Sequence, residues 1–176
     1  MAGSAAGGHP AERMYEYHVW ANRRVFDHLK TLPKGVVHQK IASVFPSVHA
    51  VLRHMYRVDA LWLDVMRERS TEEIMAAVQR LEAELAGLPL EELEARVDAL
   101  AGDYRSFFRE AGDLDRPVAA EHPRLGRLET RVSELVRHVC NHGTYHRGNI
   151  TAMLRQMGHP GVPTDYVFFL MESGTR

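Results

Sequence analysis

The stretch VSELVRHVCNHGTYHRGNITAMLRQM, residues 132–157, decides the fold. Val132, Leu135, Val136, Val139, Ile150, Met153, Leu154 and Met157 recur at three- and four-residue spacing, the period of one face of an α-helix. At about 100° per residue, the positions that carry this stripe between Val139 and Ile150 are 142, 143 and 146. Two of them are histidines: His142 lies about 60° from the stripe centre and His146 about 20°. His138 is about 100° away, at the edge. Imidazoles at i and i+4 stand roughly 6 Å apart at Cβ, within reach of one ion at about 2.0–2.1 Å. The alternative is a pair of core histidines, each with its own buried hydrogen-bond partner; a metal ion satisfies both rings at once. HGTYH is not the HExxH of zinc proteases, because no glutamate lies between the histidines to act as general base.

A second helix, opened by Pro46-Ser47 and running to about Arg69, is expected to bring the third ligand. Its apolar stripe is Val48, Val51, Leu52, Met55, Val58, Trp62 and Met66. His49 falls about 130° from the stripe centre, toward solvent, and His54 about 90°, at the edge. Periodicity thus favours His54 by a small margin and leaves the choice open. Asp59 sits about 50° from the centre, where an acid needs a partner. It either orients a ligating histidine or pairs with an arginine.

The rest of the chain reads as more helix punctuated by proline and glycine: residues 11–32, a segment capped at Ser70 with Glu73, residues 90–110, and a short piece at 164–171. The last long helix is expected over residues 129–157. Residues 113–126 carry no sustained period and read as the longest loop, and no β-hairpin pattern stands out. The expectation is an all-α, antiparallel bundle over residues 11–176, preceded by a disordered tail over residues 1–10. The 176 residues suit one domain. With 22 basic and 23 acidic residues the net charge is -1, which offers no general attraction to nucleic acid or to a membrane. One cysteine, Cys140, excludes an internal disulfide and reads as a packing residue. No apolar run suits a signal peptide or a membrane span, so a cytoplasmic location is expected. Of eleven histidines, His9, His28, His38, His122 and His159 read as solvated.

Three blocks resemble the DinB-like (DinB/YfiT) family of metal-binding four-helix bundles, and the likeness covers residues 14–172. They are EYHVWANRRV (16–25), FPSVHAVLRHMYRVDALWL (45–63) and, most specific, HVCNHGTYHRGNITAMLRQMGHP (138–160). The resemblance implies an up-down-down-up bundle, often dimeric, and a three-histidine site that falls on His54, His142 and His146. It thereby selects His54 over His49. The sequence departs from the family pattern at Tyr145, at Asn149 and at His18, where histidine, glutamine and asparagine respectively are frequent; Tyr145 and Asn149 border the expected pocket.

The resulting expectation is an enzyme with one divalent ion, zinc, nickel or iron, on three imidazoles and with an open coordination position. Such an ion activates a thiol or a water without a protein base. Transfer involving a low-molecular-weight thiol is preferred to hydrolysis of a small molecule, and any activity should rise with pH in one step. The rival expectation is a non-catalytic metal-binding stress-response protein. Neither substrate nor metal identity follows from the residues.

Overall fold

A computed structural model of the chain describes residues 8–122 and 126–174. Helix α1, Pro10–Thr31, begins with proline at its first position, where no N–H is needed, and with the His9 side chain accepting from the Ala11 N–H at 3.1 Å. His9 and Pro10 therefore belong to the helix start, Gly8 precedes them without regular structure, and residues 1–7 of the expected tail lie outside the described residues. A 3-10 turn, Val36–His38, follows. Helix α2, Val48–Met66, is capped by the Ser47 hydroxyl, which accepts from the Ala50 N–H. Helix α3, Thr71–Glu84, opens on the expected reciprocal box of Ser70 and Glu73. Helices α4, Leu90–Ala111, α5, Val132–Gln156, and α6, Tyr166–Ser173, complete the helical part.

The all-α expectation needs one amendment. Residues 117–122 and 126–131 are not loop and helix start but an antiparallel hairpin of two strands, β1, Pro117–His122, paired with β2, Gly126–Arg131. Residues 123–125, between the two strands, lie outside the described residues, as does the side chain of His122. Val118 and Ala120 are buried while Ala119 and Glu121 are exposed, the alternation of a strand with one face covered. Two short strands are marginal alone. Leu114, Val118 and Ala120 join the core cluster that holds Val132 and Leu135, and that packing supplies what the local pattern lacks. The long helix consequently starts at Val132, three residues later than its period suggests.

Helix α5 packs along both α1 and α2, and α4 packs across the same two helices. The core lies among these four. Tyr104 of α4 is fully buried, stacks on Tyr15 at 4.3 Å and donates its hydroxyl to the Asp59 carbonyl oxygen at 2.8 Å. Among the described residues, no helix is long and apolar enough to cross a membrane.

Gly143 sets the spacing between α1 and α5. A Cβ there would stand 2.4 Å from Cε1 and 2.5 Å from Nδ1 of His18, and 2.9 Å from Nη1 of Arg147. Both neighbours are almost wholly buried and neither is free to swing away. We expect Gly143→Ala to lower stability by about 1–3 kcal/mol, against the gain of about 1 kcal/mol that alanine brings to a helix interior. Denaturant unfolding measures this, and an unchanged or raised midpoint would show that the two helices part freely.

Candidate metal centre

His142 and His146 project one turn apart from α5, with ring centroids separated by 4.3 Å. His54 of α2 faces them, at 5.1 Å from His142 and 4.6 Å from His146. One ring nitrogen from each histidine lies within 4.8 Å of the other two. Nε2 of His54 and Nε2 of His142 are 3.1 Å apart. Two nitrogens bound at about 2.0–2.1 Å to a tetrahedral ion would stand about 3.3 Å apart, so the spacing suits a shared ion as well as a hydrogen bond. Nδ1 of His142 is buried without a hydrogen-bond partner, and an ion held at Nε2 would leave its N–H in want of an acceptor. The donor set therefore fits a divalent first-row metal.

The electrostatics point the same way. Burial, reinforced by the facing imidazoles of His146 and His54, pushes His142 down to about 3. Burial, and then His54, pushes His146 down to about 4. His54 is lowered by burial and by the nearby Arg57. All three rings are thus neutral at pH 7, the form that coordinates a cation.

Two further residues border the cluster. Asn149 places its side-chain nitrogen, Nδ2, 3.4 Å from Nδ1 of His146. With its oxygen turned toward the ring, it would accept from Nδ1–H and leave Nε2 for an ion. Tyr145 is 64% exposed, its ring 5.1 Å from that of His146. Phe45 closes the other side, 5.2 Å from His54 and 5.5 Å from His146. Cys140 is buried and its thiol is pushed up to about 12 by burial and by Asp59, which fits a packing residue and not a nucleophile.

His49 and Asp59 depart from their expected surroundings. His49 does not face solvent: it is 4% exposed and donates from Nε2 to the Leu88 carbonyl oxygen at 2.8 Å. The segment after α3 folds back over this side of α2, which helical periodicity within α2 does not report. Its ring is committed there, away from the three-histidine cluster. Asp59 directly contacts neither a cluster histidine nor an arginine; Oδ2 accepts from His18 Nε2 at 2.9 Å.

His18 is the residue that motif spacing missed. It is 1% exposed, and its Nδ1 faces Nη1 of the buried Arg147 at 3.4 Å. Arg147 also donates to Asn22 Oδ1 at 3.0 Å, to Thr144 Oγ1 at 2.9 Å and to the Tyr17 hydroxyl at 3.4 Å. Asp59, His18, Asn22 and Arg147 thus form a buried polar core that ties α1, α2 and α5 together beside the histidine cluster. The stripe of α1 carries a signal for it. Tyr15, His18, Asn22, Val25 and Leu29 recur at helical spacing, which places two polar residues on a buried face.

Comparison with known proteins adds two findings. The sequence model of the DinB family matches residues 4–175. Over 166 residues the chain is 43% identical to Protein DinB of Bacillus subtilis (strain 168), a match that spans 94% of this chain and 96% of that protein.

Proposed function

This chain belongs to the DinB family, and we propose that it is a metal-dependent enzyme acting on a small molecule at His54, His142 and His146. The observation that carries the reading is the cluster itself: three neutral imidazoles from two helices, each offering a nitrogen within 4.8 Å of the others. Three protein nitrogens and an open position are the donor set of catalytic, not structural, sites. A divalent ion there would supply Lewis acidity enough to ionise a thiol or a water near neutral pH. His54 from α2 and the His142–His146 pair from α5 would hold such an ion between the two helices. Asn149, with its amide oxygen toward Nδ1, would fix the ring of His146, and the Tyr145 ring stands edge-on to it at 5.1 Å. Asp59, buried and bonded to His18, brings negative charge toward His54 and His146 and eases the approach of a cation.

Among the described residues no carboxylate contacts the three rings, so transfer of a low-molecular-weight thiol is the preferred reaction over hydrolysis. In this reading α1, α2, α4 and α5 are the helices of an up-down-down-up bundle, the protein works in the cytoplasm, and two copies associate. Elemental analysis of untagged protein, followed by a thiol-conjugation screen with the identified metal, tests the proposal. A bound metal with all its positions filled by protein, and no turnover, would favour the non-catalytic stress-response reading.

The lowered histidines also fix a pH dependence for the metal-free protein. Unfolded histidine titrates near about 6.5, whereas the folded rings of His142 and His146 resist protonation down to about 3 and about 4. Between those limits the unfolded chain binds more protons, so stability falls as pH falls below about 6.5. Thermal melts of chelator-treated protein should decline from pH 7 to pH 4, and less steeply for His142→Gln. Parallel slopes for the two proteins would contradict the buried, neutral placement of the ring.

A further inference from the structure

The α2–α5 seam does not end at the three histidines. His138 lies one turn before His142 on α5, its ring 6.2 Å from that of His142 and 4.8 Å from that of Trp62 on α2. Beyond this pair the seam opens into a groove of about 930 Å³ between α2, α3 and the hairpin. That size lies at the upper end of small-molecule sites, which run about 300–1,000 Å³. Its walls include Leu61, Trp62, Ile74, Met75 and Leu128, with His138 at the end nearest the cluster.

The charges on the rim decide what it can hold. Arg69 is paired with Asp64 at 3.1 Å, Arg127 with Glu129 at 3.1 Å and Glu121 at 3.5 Å, and Glu134 with Arg137 at 3.1 Å. Each rim charge already faces its opposite, so the groove selects neither an anion nor a cation and offers mainly apolar contact. A second protein is a poorer occupant. Met75 and Leu128, 44% and 47% exposed, are the large apolar side chains that the groove turns to solvent, too few for the roughly 800 Å² per partner of a stable interface.

The geometry points to this groove as a binding site for an uncharged, apolar small molecule, with His138 and Trp62 standing between it and the three-histidine cluster. That the bound molecule is the apolar arm of the reacting substrate rests on the metal-dependent reading above; the binding itself does not. N-phenyl-1-naphthylamine, uncharged and brighter in apolar surroundings, is the probe. In chelator-treated Trp20→Phe protein, which keeps Trp62 alone, it should bind one per chain and quench Trp62 emission by energy transfer.

Met75→Lys and Leu128→Lys, both at exposed positions, should each weaken binding at least about tenfold while the circular dichroism spectrum stays helical. The site is overturned if the probe fails to saturate, or binds the two variants as tightly as the parent. It is also overturned if the parent sediments as a dimer that Leu128→Lys splits, which makes the groove an interface between copies. Metal content of untreated protein decides the three-histidine reading separately, because the probe titration is run without metal.

Discussion

Replacing His142 and His146 together with alanine is expected to leave a helical protein that no longer retains a stoichiometric metal ion through dialysis. Each single replacement should weaken binding by more than the roughly 10–100-fold seen when only a supporting partner of a ligand is removed. The expectation rests on geometry: the rings stand one turn apart on α5, 4.3 Å between centroids, and face His54 across the seam. His146 is buried and His142 half-buried, so each alanine also opens a small void. Neither takes part in the Asp59–His18–Arg147 core, and the helix should survive. His54→Ala should match the single losses. His49→Ala should leave metal content unchanged, because Nε2 of His49 is bonded to Leu88, though it should cost stability. Elemental analysis and circular dichroism on the same samples decide the matter. Full metal content in the double variant, or a larger loss at His49 than at His54, would place the site elsewhere.

What the sequence could disclose depended on how local the cause was. The i, i+4 histidines of α5 are legible because one helix carries both of them, and the apolar stripe of that helix fixes the face they share. His54 is different: its approach to His142 depends on how α2 meets α5, and periodicity within α2 placed it only at an edge. The family resemblance, not geometry, distinguished it from His49. The hairpin was hidden for a related reason. Pro117, Ala119 and Ala120 have weak strand preference, and the strands exist because Val118 and Ala120 reach a core made by distant helices. Asp59 was recognisable as an acid on an apolar stripe. Its partner was not, because the His18 bond spans 41 residues and two helices.

Arg147→Ala is expected to be among the most destabilising single substitutions in the chain, at about 3–5 kcal/mol, the cost of breaking a buried, hydrogen-bonded charge arrangement from one side. Arg147 is 2% exposed. Its loss leaves Asn22 Oδ1 without its donor and removes the positive charge nearest the buried His18–Asp59 pair, while also opening a cavity beside Gly143. Arg147→Met separates these effects, since it fills most of the space without the charge. If volume dominates, methionine should restore most of the stability. If charge dominates, methionine should remain far below the parent, and adding Asp59→Asn should recover part of the loss because no buried anion is then left uncompensated. The double-mutant cycle reads this directly. We expect a coupling of about 1–3 kcal/mol between Arg147→Met and Asp59→Asn, with the double variant more stable than the sum of the single losses. Strict additivity would mean that Asp59 is compensated by His18 alone. The polar core would then be two independent hydrogen-bonded pairs, and not one network joining α1, α2 and α5 next to the histidine cluster.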